Sequence, residues 1–166
     1  GSGIVLSDTY NVALTNLDIT TTGIHGIDGS NIGNLDLTRV RITGAGNAVN
    51  ENGINIQNLF GTSASGRDSR FDSVTITGAA DVGIEIVNST ATASGDTSNP
   101  DLLTIVNSTI SNSGVIGLLA VTDAVSANRR IDMSGSTLTN NPSRGVAANA
   151  NNGSLQLNLT GGNQLV

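Results

Sequence analysis

One short string recurs five times along this chain, and the regular spacing around it constrains the fold more than any other feature. Each copy places an aliphatic residue between a polar residue and a Thr or Ser. The copies are Asp18-Ile19-Thr20, Arg41-Ile42-Thr43, Thr75-Ile76-Thr77, Thr109-Ile110-Ser111 and Thr137-Leu138-Thr139. In four copies a Gly-aliphatic pair follows after five intervening residues, and the second copy has four additional residues before Gly53-Ile54. A fixed internal order of this kind is typical of stacked structural repeats.

Another strand-like segment precedes each string and forms the first strand of the repeat. Aliphatic residues alternate with polar or small ones there, as in Val12/Leu14 and Ile131/Met133, which is the period of a strand with one buried face. The repeats begin at Val12, Leu35, Ser69, Leu103, Ile131 and Leu155, with spacings of 23, 34, 34, 28 and 24 residues. Each repeat therefore contains a strand, a bend, a second strand, a short loop, a third strand that begins with Gly, and a variable loop.

The bend between the first two strands has its own sequence signature. The inward residues on its two sides are three positions apart, so the alternation breaks and two residues must lie in the bend. Asn16, Asn107 and Gly135 occupy the second bend position, where Asn and Gly suit a left-handed backbone conformation. Arg39 and Ser73 suit this position less well, since a left-handed conformation crowds the Cβ atom.

These repeats predict one all-β domain over residues 1–166, a single-stranded right-handed parallel β-helix of about five to six coils. We expect two inward stacks, one of Ile19, Ile42, Ile76, Ile110 and Leu138 and another of Ile27, Ile54, Ile84, Leu118 and Val146. The core must be aliphatic because aromatic residues make up only 2% of the chain. The consensus of a leucine-rich repeat is absent, and the aligned Gly positions favour stacked coils over the hairpins of a β-sandwich.

The repeat order from Gly3 to Leu165 resembles the pectin-lyase-like right-handed β-helix of bacterial secreted and cell-surface repeat proteins. The resemblance rests on the order of the repeat and not on a site motif. It implies an extracellular or cell-surface location in a bacterium and a chain that forms part of a longer protein. Because that family includes polysaccharide lyases and hydrolases, the resemblance also leaves an enzymatic role open.

Charge and composition exclude several classes of partner. The net charge is −6, the chain has no Lys, and its seven Arg residues are scattered. No basic stripe is present to neutralise phosphates, so we expect no nucleic-acid partner. No apolar run approaches the roughly 20 residues that a membrane-spanning helix needs, so we expect no membrane insertion. The absence of Cys excludes disulfides and thiolate metal sites.

The sequence assigns no catalytic, cofactor-binding or metal-ligating residue. In the outward position two after the aligned Gly, only Asp28 and Glu85 are acidic, and Asn55 lies between them. Two acids separated by one coil would be roughly 9–10 Å apart, and we interpret them as ordinary outward polar residues. His25 is interpreted as a loop residue. The stacked Thr residues of the recurring strings resemble ice-binding faces, but Asp18 and Arg41 interrupt that array.

Three variable loops leave the predicted stack at the same corner, over residues 57–70, 88–101 and 122–130. Inserted loops on a solenoid often gather on one face and form its binding surface. Their charged residues are the candidate binding residues, namely Arg67, Asp68, Arg70, Asp96, Asp101, Asp123, Arg129 and Arg130. The alternative is that these are solvated loops without a ligand.

The function most consistent with this pattern is a non-catalytic scaffold or adhesin-like segment of a large bacterial surface or secreted protein. The alternative is a polysaccharide-active lyase or hydrolase, with an ice-binding face as a third interpretation. We expect the partners to be a further coil or a second copy at either end of the stack, and a surface or glycan partner. No cofactor is expected.

Overall fold

The protein is described by a computed structural model that covers residues 1–61, 68–89, 100–125 and 127–166. Within these ranges the chain contains strands and turns but no helix, and thus nothing helical that could cross a membrane. The strands are β1 Ile4–Thr20, β2 Ile27–Thr43, β3 Ile54–Phe60, β4 Ser69–Asp72, β5 Thr75–Thr77, β6 Val82–Asn88, β7 Asp101–Val106, β8 Thr109–Ser111, β9 Ile116–Thr122, β10 Asn128–Ser134, β11 Thr137–Thr139, β12 Arg144–Ala150, β13 Ser154–Thr160 and β14 Gln164–Leu165.

These strands wind into a parallel β-helix of six coils, as the repeat predicts. β1 and β2 each form a whole coil as one strand that turns through its bends. The later coils divide into three strands each, beginning with β3, β6, β9 and β12. Every strand pairing among the described residues is parallel and joins one coil to the next.

Several inward columns of side chains fill the interior. We follow one column from each of the three strands of a coil and number these three in chain order. The first column is Ile4, Ile27, Ile54, Ile84, Leu118 and Val146. The second is Val12, Leu35, Ser69, Leu103, Ile131 and Leu157. The third is Ile19, Ile42, Ile76, Ile110, Leu138 and Leu165. Both predicted stacks are thus confirmed, and each buried aliphatic side chain contributes roughly 1.5–3 kcal/mol to stability.

The bends repeat one backbone conformation in all six coils. Their second positions are Asn16, Arg39, Ser73, Asn107, Gly135 and Gly161, with φ between 51° and 57°. Arg39 and Ser73 adopt this conformation too, although their side chains suit it less well. Arg39 Nε donates to Oδ1 of Asn16 at 2.5 Å, and Ser73 Oγ donates to Oδ1 of Asp72 at 2.9 Å. These bonds offset part of the cost of the left-handed backbone, which is about 1–2 kcal/mol per residue.

The last repeat begins two residues later than its sequence indicates. Ile131 pairs with Leu157, whereas Leu155 pairs with Arg129. Leu155 and Leu157 have the same strand parity, so alternation alone cannot distinguish the two registers. Asp132 and Asn158 are partners in the observed register, and the side-chain amide of Asn158 donates to Oδ1 of Asp132 at 2.7 Å.

Candidate functional site at the loop corner

The structure brings four of the predicted loop residues together at one corner. They are Asp68, Asp101, Arg129 and Arg130, whose charges act on one another through space. We call these four residues the corner cluster. Arg70 and Asp123 lie elsewhere, and Arg67 and Asp96 fall outside the described residues.

Arg129 points into the protein because it precedes the inward Ile131 by two residues on β10. The residue is only 2% exposed. Its Nη2 donates to Oδ1 of Asn88, at the end of β6, at 3.1 Å. The guanidinium therefore reaches from the β10 side of the coil to the β6 side. Its Nε and Nη1 find no hydrogen-bond partner in the described part of the chain.

Asp101 is the neighbour of Arg129 on the adjacent strand β7 and is likewise 2% exposed. Its Oδ1 accepts from the backbone N–H of Gly61 at 2.6 Å, while Oδ2 has no partner within the described ranges. Burial raises the pKa of Asp101, and the attraction of Arg129 partly opposes that rise. Asp101 is thus a buried acid next to a buried base without a direct ion pair among the described contacts.

Asp68 forms the outer side of the cluster. It is exposed, yet the surrounding protein raises the pKa of its carboxyl group, against the attraction of Arg130 and Arg129. A Cβ atom on Gly61 would lie 3.3 Å from Oδ1 of Asp101 and 3.6 Å from Oδ1 of Asp68. The two carboxylates therefore flank Gly61, which leaves room for both.

Burial lowers the pKa of Arg129 to about 10, although Asp101 and Asp68 favour its charged form. That value is far enough above neutrality to keep the guanidinium protonated at pH 7. The corner therefore holds a permanent cation inside the β-helix. Its charge is balanced mainly by Asp101 and Asp68, which attract it without a direct ion pair among the described residues. A buried cation in this state is costly unless all its donors are satisfied.

Arg70, Asp123 and the cluster residue Arg130 also have polar partners on the outer surface. Arg70 Nη2 lies 2.8 Å from Oδ2 of Asp72, and Arg130 Nη2 lies 2.7 Å from Oδ2 of Asp132. Both pairs link residues two apart on one strand, which share a face. Asp123 Oδ1 accepts from the amide of Asn151 at 3.0 Å. Exposed pairs of this kind contribute little to stability, about 0–1 kcal/mol.

Sequence reasoning missed three neutral members of this corner, Gly61, Asn88 and Thr122. Asn88 and Thr122 pair across β6 and β9, and the hydroxyl of Thr122 is buried without a partner in the described chain. Neither residue carries charge; the fold brings Asn88 within hydrogen-bonding distance of Arg129, and Thr122 is the partner of Asn88 on the next strand. The available signal was the unusual pattern of β10, in which Arg129 has the parity of the core residue Ile131.

The other polar residues considered from the sequence lie in hydrogen-bonded positions away from this corner. His25 Nδ1 accepts from the backbone N–H of Asn52 at 3.0 Å. Asp28, Asn55 and Glu85 share an outward column as predicted, and the Asn55 amide donates to Oδ1 of Asp28 at 2.9 Å. Among the described residues, no three His, Cys, Asp or Glu side chains are placed to hold a metal ion.

Two hydroxyl columns flank the third inward column, one on each side of it. The charges of Asp18 and Arg41, which lie 3.5 Å apart, interrupt only one of them. The other is unbroken through Thr20, Thr43, Thr77, Ser111 and Thr139. The interruption at Asp18 and Arg41 that the sequence predicts therefore affects one of the two columns.

Comparisons with known proteins do not assign the chain to a family: no family model, no curated protein and no solved structure matches it.

Proposed function

We propose that this chain is a non-catalytic β-helix scaffold, an adhesin-like segment of a large extracellular or cell-surface bacterial protein of the pectin-lyase-like kind. The observation that carries the proposal is the way polar side chains at the corners of the coils form hydrogen bonds. They bond along the axis to equivalent residues of the next coil, which is the arrangement a rod needs in order to hold its coils in line.

One of these ladders starts in the first coil. The Asn31 amide donates to Oδ1 of Asp8 at 2.8 Å, and the Asn58 amide donates to Oδ1 of Asn31 at 3.1 Å. The backbone N–H of Ser89 then donates to Oδ1 of Asn58 at 2.9 Å. Each such bond adds roughly 0.5–1.5 kcal/mol between coils.

Similar bonds occur at other corners. The Asn34 amide donates to Asn11 at 2.9 Å, and the side chains of Ser108 and Ser136 accept from backbone N–H groups of neighbouring coils. Together with the parallel backbone ladders, they place hydrogen bonds along the rod axis at about 4.8 Å per coil. The extracellular location and the bacterial source are supported only by the resemblance of the repeat.

The loop corner is the part of the scaffold that would meet a surface or glycan partner. The corner cluster anchors the ends of the three variable segments, since its members lie on β7 and β10 and directly before β4. Loops held by a rigid scaffold are a common place for binding residues.

Paired Asn variants test the scaffold proposal. Asn31 and Asn140 both have a left-handed backbone, with φ of 53° and 55°, but only Asn31 has a side-chain bond in the ladder. Gly tolerates this conformation, so Asn31→Gly isolates the loss of the ladder and Asn140→Gly is its control. We expect Asn31→Gly to lower the axial unfolding force in single-molecule pulling, and Asn140→Gly to leave it unchanged. Equal effects of the two variants would contradict the proposal.

A polysaccharide-active enzyme is the second candidate, and one observation favours it. Asp68 and Asp101 are neighbouring carboxyls with raised pKa values beside an Arg, and such pairs occur in sites that hydrolyse glycosides. Asp101, however, is 2% exposed, which leaves Asp68 as the carboxyl that a polymer can reach. Cleavage of an acidic polysaccharide by this chain, abolished by Asp68→Asn in a folded variant, would establish this function in place of the first.

A further inference from the structure

Two arginines of the second coil line a groove on the outer surface, at the bend before the third column, and we call it the arginine groove. Its volume is about 280 Å³. Its lining residues are Asp18, Arg39, Val40, Arg41, Ser73 and Thr75. Val40 is buried in the core, whereas Arg39 and Arg41 on either side of it are exposed. No member of the corner cluster lines this groove, so the two are separate surfaces.

Both arginines depart from the repeat at the same place. The bend position of Arg39 holds Asn, Ser or Gly in the other five coils, and Arg39 adopts the same left-handed backbone with a φ of 52°. The outward position of Arg41 holds Thr in the next three coils. A residue held in an unfavourable backbone conformation often marks a functional site. Two such departures in one groove indicate a role that the fold itself does not require.

The guanidinium groups of the groove keep most of their donors open to solvent. Arg39 Nε donates to Oδ1 of Asn16 at 2.5 Å, and Arg41 Nε lies 3.5 Å from Oδ1 of Asp18. These contacts leave the terminal nitrogens of both arginines available within the described part of the chain. The side chains of Arg41 and Asp18 are 67% and 76% exposed, and an ion pair so exposed is weak. A ligand can therefore compete with Asp18 for Arg41.

The charge of the groove is opposite to that of the whole chain. Arg39 and Arg41 against Asp18 leave the groove with one net positive charge, whereas the chain carries −6. An anionic polymer is thus not attracted by the overall charge and must be recognised at a local site. A sulfate ester fits this site, because it carries a single negative charge and offers one more terminal oxygen than a carboxylate to the many N–H donors.

The outward column that contains Arg41 continues past the groove as hydroxyl groups. Thr75, Thr109 and Thr137 follow Arg41 in successive coils, and all three are partly exposed. Neighbouring coils are about 4.8 Å apart. Threonine hydroxyls both donate and accept hydrogen bonds, as the hydroxyl groups of sugars do. A sugar chain held in the groove can therefore extend along the rod over this column.

We propose that the arginine groove binds a sulfate ester of a polysaccharide, whose sugar chain lies along the column of Thr75, Thr109 and Thr137. Arg39 and Arg41 donate from their terminal nitrogens to the sulfate oxygens, a charge-assisted contact for which arginine is well suited. Asp18 opposes this contact and limits the affinity. The inference goes beyond the proposed function, because it assigns a second binding surface and does not require the loop corner to bind a ligand.

Substitutions that restore the residues of other coils test the groove while respecting the fold. Arg39→Asn introduces the bend residue of two other coils, and Arg41→Thr introduces the outward residue of the next coil. Arg144→Gln is the control, because it removes one positive charge at an exposed position of β12. Calorimetric titration with dextran sulfate at about 0.15 M salt is the measurement, and unsulfated dextran is the matched ligand. Circular dichroism confirms that each variant retains its β-structure.

We expect the unaltered chain to bind dextran sulfate but not dextran. Arg39→Asn and Arg41→Thr should each lower the affinity about tenfold, through the loss of charge-assisted hydrogen bonds, and Arg144→Gln should leave it unchanged. Asp18→Asn should raise the affinity because it removes the competing carboxylate, whereas Asp123→Asn, at the loop corner, should not. No binding of dextran sulfate, equally tight binding of the carboxylate polymer polygalacturonate, or an equal loss in Arg144→Gln would overturn the inference.

Discussion

At the scale of single residues, Arg129 is the least favourable side chain of this interior and the most informative to change. Its guanidinium is buried and charged, and only the amide of Asn88 accepts from it in the described chain. We expect Arg129→Met to lower the free energy of unfolding by roughly 3 kcal/mol, since Asp101 then remains as a buried carboxylate without its cation. Urea denaturation at neutral pH measures this loss.

The paired replacement of Arg129→Met with Asp101→Leu serves as the control for that experiment. Removing both charges leaves an apolar contact between β7 and β10, so the double variant should regain most or all of the lost stability. Equal destabilisation by the single and the double variant would show that the two charges do not compensate one another.

The pH dependence of Arg129→Met follows from the raised pKa values of Asp68 and Asp101. Arg129 lowers both pKa values, so its removal raises them further above the ordinary value near 3.8. A raised folded-state pKa costs stability at high pH, and this cost disappears as pH falls from the folded pKa toward the unfolded one. The stability loss caused by Arg129→Met should therefore shrink as the pH falls from neutral toward the ordinary carboxyl value near 3.8. A loss that stays constant would contradict the assigned electrostatics.

In the wild-type chain, two exposed ion pairs change stability with pH in the opposite direction. Arg70 lowers the pKa of Asp72, and Arg130 lowers that of Asp132. A lowered folded-state pKa adds stability above the unfolded value, and that stability is lost as pH falls through the folded pKa. These pairs therefore weaken only below about pH 4, and exposure to solvent keeps their effect small.

The corner shows what residue patterns can and cannot predict. The grouping of the loops at one corner follows from the repeat register, and Asp101 and Arg129 were among the candidates on that basis. Their burial is indicated only by the alternation, which gives each the parity of the inward residue two positions later, whereas a charged residue near a loop is ordinarily solvated. Gly61, Asn88 and Thr122 could not be found from sequence, since their role depends on which strands become neighbours.

At the scale of strands and bends, one left-handed position per coil organises the turn between the first two segments. Ser73 occupies it with a φ of 57°, and its side-chain bond to Asp72 is exposed and local. Gly avoids the Cβ crowding there, so we expect Ser73→Gly to raise stability by about 0.5–1 kcal/mol. Thr104→Gly, on the outside of β7, is the control and should lower it. Thermal unfolding distinguishes the two outcomes.

The strands themselves were largely predictable, because alternation and the aligned Gly residues identify all three segments of each coil. The register of the last coil was wrong by two residues, since Leu155, Leu157 and Leu159 alternate without a distinguishing neighbour. The continuity of β1 and β2 through their bends was also not predicted. Their short loops of equal length let neighbouring coils stay paired around each corner, whereas longer insertions separate the first strand of the third, fourth and fifth coils from the second.

At the scale of the whole molecule, the three columns make stability a shared property of all coils. Ile76 is 0% exposed in the third column, between Ile42 and Ile110. A lone carboxylate there has no partner, so Ile76→Asp should unfold the rod. Circular dichroism at 25 °C should then show loss of the β-structure, while Thr75→Asp on the outward face should retain it.

Equivalent residues of successive coils lie side by side in this fold, and the absence of Cys permits a direct test of that register by engineered cross-linking. Ser7 pairs with Ser30, and Ser30 pairs with Gln57 in the next coil. Neighbouring strands are about 4.8 Å apart, within the range that a disulfide spans.

Mass spectrometry after mild oxidation should therefore show efficient disulfides in Ser7→Cys/Ser30→Cys and in Ser30→Cys/Gln57→Cys. Ser7→Cys/Gln57→Cys, which skips a coil, should remain reduced. Efficient cross-linking of the skipped pair, or none in the adjacent pairs, would contradict the coil register on which the fold and both proposals depend.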